Sequence, residues 1–464
     1  MIALRPYQTD AVDRARDAFR AGQRRILIVA PTGSGKTVIA AHIVASAVAR
    51  GKRVVFVAHR RELVNQAFGK LRDAGLVSVG VIMAGDRRRN PVAPVQVASI
   101  DTLRRRTNPP ADLVIIDEAH RALAQTYTDL REAYPAATHI GLTATPYRAD
   151  GQGLGHAYEA LVVVASPRTL IADGYLVEPR IFTVPDAELP DLSRVRLACG
   201  DYDAEELNAA VNRKGLVGSI VGHWKRHAGG ERTVAFAASV VHSQHITESF
   251  VKAGVAAEHL DGKTPVAERD AILARLQTGE TRVVANCGVL CEGWDQPAVK
   301  VAILARPTTS TGLYLQQAGR ILRPWEGVGA VILDHAGCVL EHGLPQADRE
   351  FTLDDDPREK GKPSSHRSCK TCDECLAVVE STMPVCPHCG FVWPLPEGRN
   401  LDESDDDLVE ADVAMMERWR IAWNRYLRTA QERGYKPGWA AHRFRDEFGI
   451  FPPASFPRPW NRVA

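Results

Sequence analysis

A chain of 464 residues, 45% hydrophobic and 25% charged, has the length for more than one buried core and a composition that excludes the disordered and fibrous classes. Its 58 Lys+Arg against 56 Asp+Glu leave a formal net charge of +2, so any surface for a polyanion must be local. No apolar run approaches the length that spans a bilayer, and the N-terminal MIALRPYQTDAVDRARDAF has an amphipathic pattern without an apolar h-region, which predicts a cytoplasmic protein with no membrane partner.

In chain order, LRPYQ (4–8) opens the first predicted helix. From residue 24 to 144 the β-branched runs RRILIVA, KRVVFVA, DLVIIDE and THIGLTA alternate with helical stretches such as 37–50 and 62–74, the pattern of a parallel sheet flanked by helices. The loop APTGSGKT (30–37) lies between the first strand and its helix. There the backbone N–H groups of Gly33, Ser34 and Gly35, with Thr32 beside them, can cradle phosphates, Lys36 can reach the β and γ groups, and Thr37 can hold Mg²⁺. Ala30 replaces the first glycine of the general pattern, which is tolerable because the tight approach falls later in the loop.

VIIDEAH (114–120) sets two carboxylates at the end of a buried strand. Asp117 can hold Mg²⁺ through its water shell, and Glu118 can orient and deprotonate an attacking water. Alone, such a pair reads equally well as a helix N-cap; a phosphate loop on the same sheet favours catalysis. The basic runs 87–89 and 104–106 suit either a backbone-binding track or a solvated surface.

Residues 185–199 are proline-bearing and aperiodic, as a linker would be, and the amphipathic stretch 204–227 leads into a second α/β unit built from TVAFAA, VAAEHLDG, TRVVANC, VKVAILA and GAVILD. In YLQQAGRILRP (314–324), a continuous helix would place Gln316, Arg320 and Arg323 at i, i+4 and i+7 on one face, three phosphate-capable groups in line. Past Asp334 the composition turns charged and proline-bearing, then cysteine-rich.

Of nine cysteines, Cys199, Cys287, Cys291 and Cys338 are scattered while five crowd between 369 and 389, which argues for reduced thiols and a metal site over disulfides. CDECLAVVESTMPVCPHCG offers Cys372, Cys375, Cys386 and Cys389 to one tetrahedral, structural Zn²⁺. Cys369 forms a second C-x₂-C with Cys372, so spacing leaves open which of Cys369 and Cys375 completes the site; the ten-residue connection favours Cys375. His388 is an alternative ligand, and redox thiols or an iron–sulfur cluster are the alternative chemistry. The tail interleaves Arg418, Trp419, Arg420, Trp423, Arg425 and Tyr426, a pattern that fits base stacking but fits a packed helix pair better.

Taken in order, LRPYQ, AxxGxGKT, VAHRREL (57–63), DEAH, GLTATP (141–146), NCGVLCEGWDQP (286–297) and QQAGRILRP resemble the motifs of superfamily 2 helicases and translocases, over residues 4–337. With the cysteine-rich module after the motor, the chain is most similar to bacterial and phage DEAD/DEAH-box helicases of the RadD-like kind. The resemblance implies ATP as substrate, with Gln8 recognising adenine and Arg5 stacking on the ring. It implies that Gln316, Arg320 and Arg323 close over ATP from the second domain, accompanied by Gly293 and Asp295 as sugar- and motor-contacting residues. It implies that Thr143 and Thr145 couple the ATP site to nucleic acid, and that Arg60 or Arg61 with Ser99 or Thr102 grip the sugar-phosphate backbone without reading bases.

The expected fold is α/β: two tandem RecA-like P-loop domains, a small zinc ribbon and a short helical tail. The boundaries read as 1–190 and 200–345 for the two domains, 346–365 for a linker, 366–396 for the ribbon, 397–412 for an acidic linker and 413–464 for the tail. The expected function is an ATP-dependent helicase or translocase on nucleic acid, DNA in preference to RNA, with ATP, Mg²⁺ and Zn²⁺ and a replication or repair protein as partner through the ribbon or tail. The alternatives are a duplex DNA translocase that does not unwind, and an ATP-switched nucleic-acid clamp.

Overall fold

The computed structural model describes residues 3–148, 151–185, 188–198, 200–355, 369–393, 411–436, 438–453 and 456. Cys199, the acidic run 403–407, the stretch 356–368 and most of FPPASFPRPW lie outside them. The chain divides into two compact units, 1–393 and 394–464.

The first unit holds two parallel sheets. Seven strands form the first: β1 (Arg25–Val29), β2 (Val54–Ala58), β3 (Val79–Ile82), β4 (Val95–Ser99), β5 (Leu113–Asp117), β6 (Thr138–Thr143) and β7 (Ala160–Val163), in the order β3-β4-β2-β5-β6-β1-β7. Strand alternation divides their side chains between two cores: Ile26 and Ile28 pack on one face, Leu27 and Val29 on the other. Both faces are covered by helices, so these strands read as nearly unbroken apolar runs.

Next come β8 (Pro179–Thr183) and a short hairpin of β9 (Leu197–Ala198) and β10 (Asp201–Tyr202). The second sheet takes β11 (Thr233–Ala237), β12 (Ala257–Leu260), β13 (Val283–Asn286), β14 (Val301–Ala305) and β15 (Ala330–Asp334), in the order β12-β13-β11-β14-β15-β8. Although it precedes residue 190, β8 pairs with β15, Ala330 opposite Pro179 through Asp334 opposite Thr183. The first-domain boundary read at 190 therefore cuts through the second sheet, because β8 completes its edge and buries Ile181 and Phe182 there.

A two-stranded ribbon, β16 (Cys369–Thr371) and β17 (Val378–Glu380), docks on the same edge: Phe182 bridges to Ala377, and Arg168 pairs with Glu380 at 2.6 Å. The described part of the expected 346–365 linker is not loose. Phe351 and Leu353 pack into the first-domain core, Gly155 N–H donates to the Leu353 carbonyl at 2.8 Å, and Thr352 N–H donates to the Tyr147 hydroxyl at 3.2 Å. Residues 344–355 thus form a strap from the second domain back onto the first.

The second unit is a pair of helices, Ala411–Glu432 and Gly438–Phe448. Trp423 and Phe444 are buried in its own small core, while Arg418 and Arg420 are exposed. The packed-pair reading of the tail holds for these aromatic residues. Among the described residues no helix is long and apolar enough to cross a membrane.

Candidate active site

The phosphate loop follows β1 and opens the helix Lys36–Val48. Gly33 and Gly35 have φ of 91° and 86°, the left-handed region that a side chain disfavours. Space forbids one as well: a Cβ on Gly35 would lie 2.5 Å from the Gln8 amide nitrogen. Gln8 is buried, donates to the Ser34 carbonyl at 2.9 Å and accepts the Arg5 N–H at 3.0 Å. The Arg5 guanidinium stacks over Tyr175, 4.5 Å from the ring centroid.

Asp117 ends β5, and Glu118 follows it at φ 52°, a strained conformation for a residue with a side chain. Lys36 Nζ meets Glu118 Oε1 at 3.0 Å, and the two Glu118 oxygens are divided between Lys36 and His120, whose Nδ1 is 3.5 Å from Oε2. Burial works against ionisation of Glu118, but Lys36 and His120 outweigh it and hold the carboxyl below its ordinary range. Asp117 goes the other way: burial and then the neighbouring Glu118 push it up to about 7. A buried carboxylate without a contacting cation, at the foot of a phosphate loop beside Thr37, fits a Mg²⁺ ion.

One cavity of about 390 Å³ gathers these groups. Its walls include Arg5, Gln8, Thr32, Gly33, Gly35, Lys36, Thr37, Asp117 and Glu118 from the first domain and Gly293, Asp295, Arg320 and Arg323 from the second. Arg320 is anchored by donating to the carbonyls of Cys291, at 3.1 Å from Nε, and Trp294, at 2.6 Å from Nη1. Arg323 forms an ion pair with Asp295, and burial, then Arg5, push its guanidinium down to about 10. Ser34 is buried behind the loop, its hydroxyl donating to the Pro31 carbonyl at 2.7 Å.

Gln316 does not join them. The helix Thr311–Gly319 stops before either arginine, so the three side chains do not share a helical face. The turn is drawn off the helix by Lys300, a fully buried residue at the entry to β14, whose Nζ donates to the carbonyls of Ile321 at 2.9 Å and Arg323 at 2.6 Å. Gly319 permits the close pass: a Cβ there would lie 2.5 Å from Thr32 Cβ. Gln316 instead lines a second, larger interdomain cavity of about 590 Å³, together with Thr145, His59, His120, Arg121 and Glu292.

Thr143 and Thr145 are buried in one turn, the Thr143 hydroxyl donating to the Thr145 carbonyl at 2.7 Å, and Thr145 abuts Gly312 of the second domain. Arg60 is not on an open backbone track. It donates to the Gly288 and Val289 carbonyls at 3.0 and 3.3 Å and pairs with Glu292 at 3.2 Å, because the closed cleft brings the second domain against it. Arg61 is exposed, Ser99 is half-buried at the end of β4, and the Thr102 hydroxyl accepts the Ala84 N–H at 3.2 Å. Sequence reasoning missed Lys300, His59, Glu292 and Tyr175. Lys300 carried a faint signal, a charge inside the apolar run VKVAILA; His59 and Glu292 sat within VAHRREL and NCGVLCEGWDQP without being singled out, and Tyr175 carried none.

The sulfurs of Cys372, Cys375, Cys386 and Cys389 lie within 4.8 Å of one another, with Cys372–Cys389 at 3.5 Å and Cys375–Cys386 at 3.8 Å. A tetrahedron with Zn–S bonds of about 2.3 Å places its sulfurs about 3.8 Å apart, so the set fits zinc. Each C-x₂-C turn closes with a residue at positive φ, Leu376 at 59° and Gly390 at 79°, and with an N–H to the first cysteine's carbonyl at 2.9 Å. Cys369 is buried elsewhere, its thiol donating to the Val339 carbonyl at 3.3 Å, and His388 is outside the cluster.

Residues 1–148 match the family described as type III restriction enzyme, res subunit, and 215–324 match the helicase conserved C-terminal domain. A protein of a Lactococcus phage (isolate 7-9), described as a 51.5 kDa protein, is 30% identical over 400 residues, 85% of this chain and 83% of its own length. A Saccharomyces cerevisiae protein named as an ATP-dependent helicase, IRC3, is 32% identical over 69% of this chain; the chain spans 49% of it. XPB2 of Sulfurisphaera tokodaii, named a DNA 3'-5' translocase, is 25% identical over 69% of this chain and 79% of its own. The first unit has the fold of an HsdR fragment of a type I restriction enzyme from Vibrio vulnificus YJ016, with a TM-score of 0.59 at 23% identity, covering 76% of this chain and 67% of that one.

Proposed function

The chain belongs to the superfamily 2 helicases, and from that premise we propose that it is an ATP-driven motor that tracks along DNA, with its hydrolytic centre at the cleft between the two sheets. The observation that carries this reading is the single cavity in which a phosphate loop, two carboxylates and two arginines converge from segments almost 300 residues apart. Gln8 and Arg5 line the same cavity as the loop, which supports a purine bound beside it, and Lys36 would leave Glu118 for a phosphate. Asp117 and Thr37 would hold Mg²⁺, which supplies charge neutralisation at the phosphates. Glu118, freed from Lys36, orients the attacking water and takes its proton, while Arg320 and Arg323 face the charge that develops on the γ-phosphate.

Because those arginines come from the other domain, turnover needs closure, and release permits reopening. A strand crossing both domains is then moved by the cycle. DNA is preferred to RNA on the likeness to a relative named as a DNA translocase. We further propose domain limits at the start of β8 for the second domain, a structural zinc in the four-cysteine ribbon, and a replication or repair protein as a partner of the ribbon or tail.

The test is ATP turnover with single-stranded DNA, duplex DNA and RNA, beside a strand-displacement assay and the Glu118→Gln variant. DNA-stimulated turnover that Glu118→Gln abolishes is expected. Stimulation without displacement selects the translocase, and turnover indifferent to every polymer overturns the motor.

A further inference from the structure

The two interdomain cavities are joined by a chain of charged groups that the motor reading leaves without a role. Glu292, in the loop between β13 and β14, is only 6% exposed, yet it comes from the second domain to meet four side chains of the first. His59 Nε2 lies 2.7 Å from its Oε2 and Arg60 Nε 3.2 Å; Arg121 Nη2 lies 3.5 Å from Oε1 and His120 Nε2 3.9 Å. His59 and Arg60 follow directly on β2, and His120 and Arg121 lie in the turn after β5. The hydrogen bond from His59 and the nearby Arg121 outweigh burial and hold the Glu292 carboxyl well below its ordinary range, so it is a charge, not a buried acid.

His120 stands between two carboxylates, its Nδ1 turned to Glu118 and its Nε2 to Glu292. At 3.5 and 3.9 Å these are electrostatic contacts rather than hydrogen bonds, and neither Glu118 Oε2 nor His120 Nδ1 has a hydrogen-bond partner. The other oxygen of Glu118 is held by Lys36, the group that a nucleotide phosphate competes for. Once Lys36 turns away, the orientation of Glu118 depends on its remaining side, which is His120.

We propose that Glu292 is a positioning residue for hydrolysis: arriving on domain closure, it fixes the His120 imidazole beside Glu118 and so aims the catalytic carboxylate. Closure then does two things at once, delivering the arginines to the phosphate and arming the base. Opening withdraws Glu292 and relaxes Glu118, which keeps an open enzyme from wasting ATP. The same carboxylate ties down Arg60 and, at the wall of the second cavity, Arg121, so occupancy there is felt at Glu118 through Glu292 and His120.

The proposal rests on Glu118 as the base, and the experiment separates the two. In the full-length protein, Glu292→Gln keeps shape and removes charge; kcat is expected to fall about ten- to hundredfold, the scale of a misplaced reacting group. KM for ATP, fluorescent-nucleotide affinity and thermal midpoint stay at the parental values, and Glu292→Asp recovers part of kcat. The double variant His120→Ala with Glu292→Gln should be no slower than the slower single variant, since both act along one line. An unchanged kcat in Glu292→Gln, fully multiplicative losses in the double variant, or nucleotide affinity and midpoint falling together with kcat would each overturn it. Glu118→Gln tells the failures apart: if it still hydrolyses ATP the base assignment is wrong, and if it is dead while Glu292→Gln is normal only the positioning role is wrong.

Discussion

Arg320 and Lys300 show how individual side chains divide the work at the cleft. Three N–H contacts from Arg320 go to the carbonyls of Cys291 and Trp294, so the guanidinium is braced before nucleotide arrives. Arg320→Ala should therefore leave fluorescent-nucleotide affinity nearly unchanged while hydrolysis falls by roughly 10³ or more, the range for an arginine acting on the transferred phosphoryl. Equal losses in both measurements would make Arg320 a ground-state contact. Lys300 holds the arginine-bearing turn from below. Burial pushes its ammonium down from 10.5 to about 8. Between pH 8 and 10.5 the unfolded chain keeps a proton there that the folded chain has shed, so this group's contribution favours folding increasingly as pH rises through that window. Lys300→Met should erase that slope in denaturant titrations while costing about 1–3 kcal/mol for each carbonyl left unpaired. The phosphate loop, Asp117, Glu118 and the arginines were legible in the sequence because each needs a particular residue at a particular spacing. Lys300 and Glu292 were not, since their partners are set by the approach of distant loops.

The elements differ in how well local pattern foretold them. Nine strands stood out as short apolar runs, most of them β-branched, and the structure has strands at all nine. In the two large sheets β3, β4, β7 and β8 are weaker signals, and β8 joined a sheet that its place in the chain did not suggest. The helix Thr311–Gly319 ends before the arginines, where Pro324 offers no N–H to the Arg320 carbonyl and Lys300 takes up the carbonyls of Ile321 and Arg323. The ribbon illustrates the opposite case, since two C-x₂-C turns define their own geometry. Metal analysis of the purified protein should find one zinc per chain, retained in Cys369→Ser and lost in Cys386→Ser. Because Ala377 and Val378 of the ribbon pack into the two cores of the second sheet, chelation should also lower the thermal midpoint.

At the scale of the whole first unit, two sheets are joined twice, by the chain before β8 and by the strap through Phe351 and Leu353. The return strap is expected to limit how far the cleft opens, with Phe351 and Leu353 as its apolar anchors. Replacing both Phe351 and Leu353 by Ala removes apolar contacts worth about 2–5 kcal/mol each when fully buried, somewhat less here where they are partly exposed. Small-angle scattering of the variant should show a larger radius of gyration than the parent, and proteolysis should cut near residue 350 sooner; identical profiles would show that the strap bears no load.

The sequence by itself picked out the groups that meet at the sites: the glycine-rich loop, the two carboxylates, the two arginines and the four clustered cysteines. Those assignments rest on bonds between near neighbours, or on residue types with few other uses. The tertiary structure alone decided that Gln316 faces a different cavity from Arg320, that Arg60 and Glu292 meet across the cleft, that β8 completes the second sheet and that the presumed linker is a strap. Each of these depends on which distant segments pack together, whether strand against strand within a sheet or loop against loop across the cleft, and that is governed by packed surfaces and loop lengths rather than by any local run of residues.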